Sequence, residues 1–70
     1  MLVFLLGETV RQRRKDLGIT QSALADLAEV SHNTIYKFEK GQNNPSIKVI
    51  GKVLEVLGLE ITIRPKSVSL

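Results

Sequence analysis

The sequence predicts a mainly α domain of four short helices followed by one C-terminal β-strand, and three observations predict it. Gly18, Gly41 and Gly58 each directly follow an amphipathic run, where a helix commonly ends in a left-handed residue. Thr20, Ser31 and the pair Pro45-Ser46 precede the next runs, and these are residue types that open helices. After Gly58 the apolar period changes to two.

The first helix is predicted from about Gly7 to Leu17, with Leu6, Val10 and Leu17 inward and a strongly basic outer side. Residues 1–6 are a lead-in. They are apolar, but no basic residue precedes them and they fall far short of the roughly 20 residues needed to span a bilayer, so they are read as neither signal nor anchor. The second helix has Thr20 as N-cap, Ile19 stapled onto Leu24, and an inner stripe of Leu24, Leu27 and Ala28. The third repeats the device, with Ser31 as N-cap, Val30 stapled onto Ile35, and Ile35 and Phe38 inward.

The fourth helix is predicted to begin near Pro45-Ser46, with the proline in the first turn, and to run to Leu57. It carries two apolar stripes, Ile47, Ile50, Leu54, Leu57 and then Val49, Val53, Val56, more than one small core requires. Gly51 inside it costs about 1 kcal/mol against alanine, which points to close approach of another backbone. Beyond Gly58, Leu59, Ile61 and Ile63 alternate with Glu60, Thr62 and Arg64 up to Pro65, the pattern of a strand. Its edge groups need a partner. Pairing with the same strand of a second copy predicts a two-fold homodimer whose interface is Val49, Val53, Val56, Leu59, Ile61 and Ile63; pairing with residues 2–6 of the same chain is the alternative. The chain therefore divides into a lead-in (1–6), a helical domain (7–58), a dimerisation strand (59–65) and a tail (66–70).

Seventy residues make one domain that buries only about 60% of its unfolded surface, which again favours a partner. The absence of cysteine removes disulfides and thiolate metal sites and fits a reducing cytoplasm. A single histidine, no glycine-rich phosphate loop and no scaffolded pair of carboxylates leave an enzyme without machinery: no catalytic residue, cofactor or metal is expected, and Asp26 and Glu29 are read as solvated exterior. The net charge of +3 is modest, but Arg11, Arg13, Arg14 and Lys15 fall within five residues. That run is either a solvated helix face or a source of long-range attraction for phosphates.

The stretch from Gln21 to Lys40 carries the functional signal. Two amphipathic segments meet at Glu29-Val30-Ser31, and the second sets His32, Asn33, Tyr36 and Lys37 on its polar side. A helix-turn-helix DNA reader needs this, one stripe buried to hold the angle and the opposite one able to meet base edges in the major groove. His32, Asn33, Tyr36 and Lys37 are therefore the candidate base contacts. Asn33 suits adenine and Lys37 guanine, each worth about 1–3 kcal/mol of discrimination. His32 can donate or accept, or touch only solvent or phosphate; Tyr36 packs on sugar, phosphate or a thymine methyl, or else is half-buried against the fourth helix.

The candidate backbone contacts are Arg11, Arg14, Gln21, Thr34, Lys40, Gln42, Asn43 and Asn44. Gln21 opens a helix whose unpaired amides favour a phosphate oxygen. Thr34, Lys40, Gln42, Asn43 and Asn44 surround the end of the third helix, where an ordinary polar loop is the plainer alternative.

The pattern from Leu6 to Leu57 resembles the Cro/phage-repressor, or Xre-like, helix-turn-helix family, through Gln21, Leu24-Ala25, Ala28, Val30, Ile35, Phe38, Glu39 before Gly41, and Asn44-Pro45-Ser46. The resemblance implies a lambda-repressor-like helical domain, with Ala25 where the two motif helices cross and Arg14 paired with Glu39 across the first and third helices. The ending Leu57-Gly58-Leu59-Glu60-Ile61-Thr62-Ile63 is similar to that of HipB-type antitoxins, which implies a transcriptional repressor of its own operon that binds a palindromic operator as a homodimer, with a HipA-like kinase toxin as a further partner. A stand-alone phage-type regulator and a protein-binding module without DNA are the other readings; the His, Asn, Tyr, Lys face lacks the apolar anchors a protein groove favours. One departure is Glu29, where the family usually has glycine: positive φ there implies strain of roughly 1 kcal/mol.

Overall fold

The computed structural model describes residues 2–63 and 65. Met1, Arg64 of the expected strand and the tail 66–70 lie outside the described residues. Four helices form, α1 (Leu2–Asp16), α2 (Gln21–Ala28), α3 (His32–Glu39) and α4 (Ile47–Val56). α3 packs on both α1 and α2, and α2 packs on α4, so the two motif helices are braced from either side.

Three hydroxyls fix where α2, α3 and α4 begin. Thr20 Oγ1 accepts from the Ala23 N–H at 3.0 Å, Ser31 Oγ from Thr34 at 3.0 Å and Ser46 Oγ from Val49 at 3.2 Å. Each cap is worth about 1 kcal/mol. Pro45 thus precedes the Ser46 cap instead of occupying the first turn, a one-step shift from expectation.

The core is built from Val10, Leu24, Ala25, Ala28, Ile35, Phe38, Ile50, Val53, Leu54 and Leu57, with Leu6, Ile19, Val30, Val56 and Leu59 packed at its margin. Burying each of the larger side chains contributes roughly 1.5–3 kcal/mol. Both expected staples are consistent with this packing, since Ile19 and Val30 lie against the same cluster as Leu24 and Ile35.

Several sequence expectations are corrected. α1 starts at Leu2, five residues ahead of Gly7, so residues 2–6 are helical and do not pair with a C-terminal strand. A leucine-rich run favours helix once Leu6 and Val10 can share an inner face. Leu17 is 45% exposed, because the helix stops at Asp16 and the chain turns outward at Gly18. Leu27 is 63% exposed. The buried stripe of α2 is Leu24, Ala25 and Ala28, and Leu27 lies off its far edge at about 100° per residue.

On α4 the two expected stripes merge into one. Ile50, Val53, Leu54 and Leu57 are buried, Val49 and Val56 are half-buried, and Ile47 is 75% exposed. Val53 is wholly inside the core and cannot belong to a dimer interface. Gly51 has open space where a Cβ would stand, so no backbone among the described residues approaches it. Residues 59–63 form no strand in the single chain; the Leu59 N–H closes the end of α4 on the Leu54 carbonyl at 2.9 Å, while Ile61 and Ile63 are exposed.

Glu29 adopts φ 57°, ψ 43°, the left-handed conformation expected from its place in the turn. Its N–H reaches the Asp26 carbonyl at 3.2 Å, and the Val30 N–H reaches Ala25 at 3.0 Å, which closes α2 in one residue. A side chain there costs roughly 1–2 kcal/mol, and glycine's larger unfolded-state entropy returns part of any gain. Glu29→Gly is expected to stabilise the domain by about 0.5–1 kcal/mol, read as a higher thermal midpoint; an equal or lower midpoint contradicts the strain.

Candidate nucleic-acid interface

α3 is eight residues long, about 12 Å of helix, a length that suits the roughly 12 Å width of a major groove. Ile35, Phe38 and Glu39 are buried on one side. His32, Asn33, Tyr36 and Lys37 are all exposed and fall within an arc of about 140° on the other. His32, Asn33 and Tyr36 line a single shallow, open hollow there. The four predicted base-contact residues are therefore brought together on one outer face.

Tyr36 is 44% exposed, and the Lys40 ammonium lies 5.3 Å from its ring centroid. Tyr36 is thus only partly covered, on the outer face of α3 with a cation over its ring.

The side chain that holds this face is Glu39. It is 4% exposed, and its carboxylate receives a bidentate fork from Arg14, Nε to Oε2 at 2.7 Å and Nη2 to Oε1 at 3.0 Å. Arg14 also donates from Nη1 to the Ile19 carbonyl at 2.9 Å, tying α1, the α1–α2 turn and α3 together. Hydrogen bonding to Glu39 raises the Arg14 pKa above its ordinary value, burial opposes this, and the carboxylate's charge adds to it. A raised pKa on a base contributes stability that is fully present below the ordinary arginine range and is lost only as pH climbs through the raised value, so the pair stays closed at physiological pH. Arg14 is thus held as a strut between helices, and the phosphate role predicted for it has to share a guanidinium already engaged on three nitrogens.

Gln21 donates from Nε2 to Glu39 Oε1 at 3.1 Å, and its Oε1 lies 3.3 Å from His32 Nε2. Its side chain joins α2 to α3, both of its polar atoms being engaged within the protein. An open cleft beside it is lined by Glu8, Arg11, Gln21, Glu39, Lys40 and Gln42, which brings predicted backbone-contact residues of α1, α2 and the α3 end to one place. Thr34 and Asn43 have structural work as well. The Thr34 hydroxyl shares a 2.8 Å hydrogen bond with Ser31, and Asn43 Nδ2 donates to the Thr34 carbonyl at 3.4 Å. Asn44 and Gln42 stand exposed on the loop.

Sequence reasoning missed two anchors of this surface. Arg13, read as a source of long-range attraction, donates from Nε to the Leu57 carbonyl at 2.9 Å and closes the end of α4. Gly7, read as a helix start, is buried where α1 touches the backbone of Phe38. Neither has a local sequence signature, because each depends on which helix lies opposite.

Residues 10–63 match the helix-turn-helix family, and the chain belongs to it. An uncharacterised HTH-type transcriptional regulator of Methanothermobacter thermautotrophicus is 39% identical over 51 residues, 73% of this chain and 74% of that protein. A provisionally named HTH-type transcriptional regulatory protein of Methanococcus maripaludis is 38% identical over 55 residues, 79% of this chain but only 17% of that longer protein. The chain thus spans less than a fifth of the length of several of these relatives. Among solved structures, the clp gene regulator ClgR of Corynebacterium glutamicum superposes with a TM-score of 0.80 at 30% identity, covering 84% of this chain and 63% of that one. The restriction-modification controller protein C.AhdI of Aeromonas hydrophila gives 0.78 at 29% identity, covering 83% and 88%. No helix among the described residues is long and apolar enough to cross a membrane.

Proposed function

We propose that this protein is a sequence-specific, double-stranded DNA-binding transcriptional regulator that reads a palindromic operator through α3. The observation that carries the reading is the exposed His32, Asn33, Tyr36 and Lys37 face on a short helix whose opposite side is buried and braced by Glu39 and Arg14. Arg11, Lys40 and Gln42 around the neighbouring cleft, with Asn44 on the loop, supply the backbone contacts that fix register. The regulatory role is that borne in the names of the related proteins.

A homodimer follows from the palindrome, with recognition helices about 34 Å apart for successive major grooves. Its interface, once Val53 is removed, rests on Leu59, Ile61 and Ile63 together with exposed Ile47 and half-buried Val49 and Val56. Exposed isoleucines beside unpaired residues 59–63 favour strand pairing with a second copy. The HipB-like antitoxin reading, with a HipA-like kinase toxin as partner and autorepression of a shared operon in the cytoplasm, rests on that ending. A toxin gene adjoining this one supports it, and a solitary gene favours a stand-alone regulator.

Titration of duplex DNA from the upstream region tests the function. Neutralising about 6–10 phosphates predicts a loss of affinity of roughly 10³–10⁵-fold between 50 and 200 mM salt, with two chains bound per palindrome. Binding that ignores salt and shows no preference over random duplex overturns it.

A further inference from the structure

We infer that the line of hydrogen bonds from Arg14 through Glu39 and Gln21 sets His32 to read DNA as an acceptor through Nδ1, which makes Gln21 a positioning residue for the polarity of that contact. The inference deepens the DNA-reading function proposed above. It begins from a carboxylate that can only accept.

Glu39, buried and forked by Arg14, presents Oε1 to Gln21. An amide facing a carboxylate must turn its NH₂ group toward it, so the orientation of the Gln21 side chain is fixed by chemistry. The Gln21 carbonyl oxygen then faces His32 Nε2 at 3.3 Å. That oxygen also only accepts, so Nε2 must carry the proton. In the neutral ring Nδ1 is left without one.

His32 is the first residue of α3 and lies exposed on its outer face, where base edges would be met. An unprotonated Nδ1 finds donors in the major groove at the adenine N6 and cytosine N4 amines. It finds none at phosphate oxygens, guanine N7 and O6, or thymine O4. Two of the roles open to His32 in the sequence are thereby separated: the neutral side chain is a base reader and not a phosphate contact. Lys37 can only donate and Asn33 can do both, so His32 adds an acceptor to a face that already carries donors.

His32 is the sole histidine, so one imidazole signature appears in the nitrogen spectrum of the labelled protein. At pH 8 two-bond proton–nitrogen correlations are expected to show Nε2 protonated and Nδ1 bare, with an imidazole N–H slow enough in exchange to observe. In Gln21→Ala that slow proton is expected to vanish and the ring to relax to a tautomer mixture, while the helical circular dichroism is kept. With operator duplexes, the position whose preference is lost in His32→Ala is expected to favour adenine or cytosine roughly 5- to 150-fold, and Gln21→Ala is expected to erase that preference with the salt slope retained. A ring protonated at Nδ1, or a signature unchanged in Gln21→Ala, overturns the inference with or without DNA. So does a preference for guanine or thymine at that position. Failure of the protein to bind any duplex sinks the DNA-reading function instead, and leaves the tautomer to be judged on the free protein.

Discussion

Glu39→Ala is expected to destabilise the domain by about 3 kcal/mol and to weaken operator binding as well. Removing one partner of a buried ion pair is costly because the other charge remains out of water; such deletions run about 3–5 kcal/mol. The lower end applies here, since Arg14 is 12% exposed and keeps its bond to the Ile19 carbonyl. Domains of this size have roughly 0.05–0.15 kcal/mol of stability per residue, so the loss is a large part of the total. A denaturant titration reads the stability, and a DNA titration at a temperature where the variant is still folded reads the affinity. Because Glu39 also orients Gln21, affinity should fall even in the folded fraction. Unaltered stability and affinity would remove the pair from the account of how α3 is held.

Gly7→Ala should act on the same junction from the other side. A Cβ on Gly7 would clash with the Phe38 carbonyl oxygen and stand 3.2 Å from that of Glu39. Both are backbone atoms at the end of α3, so no rotamer change relieves the clash, and α1 has to move away from α3. Overpacking of this kind costs typically 1–3 kcal/mol and occasionally more, against about 1 kcal/mol gained from alanine's helix propensity. A net loss of about 2 kcal/mol is expected, read as a fall in the denaturation midpoint. Gly51→Ala is the matched control, because its Cβ meets nothing within 4 Å and the same propensity gain goes unopposed. The two variants should move the midpoint in opposite directions in dilute protein; equal shifts would mean that the α1–α3 contact is looser than described.

What the sequence made legible follows the range over which each signal acts. Thr20 and Ser31 bond residues three positions on, so both caps are legible in the sequence, whereas the positive φ at Glu29 is suggested only through the glycine usual there in the resembling family. Phe38 and Ile35 lie in the centre of a short amphipathic pattern, and their burial was equally plain. Leu27 and Ile47 are exposed against the sequence expectation because an apolar residue at the edge of a stripe is buried or not according to the crossing angle of the neighbouring helix. Arg13 reads in the sequence as part of a charged face because nothing near it announces the Leu57 carbonyl, 44 positions away. The Arg14–Glu39 pair was reached through family resemblance, whereas the Gln21–His32 contact that extends it required the geometry of three helices at once.

The bond from Arg13 to the Leu57 carbonyl reaches beyond the end of one helix. It bolts the point where the polypeptide leaves the helical body to α1, which is itself forked to α3 through Arg14, its immediate neighbour. Residues 59–63 therefore leave the helical body from a point fixed relative to the exposed face of α3. In a paired assembly joined through those later residues, this bearing and not the flexibility of a linker would govern how far apart two half-sites must lie, so spacer length in the operator becomes a geometric property of a single guanidinium.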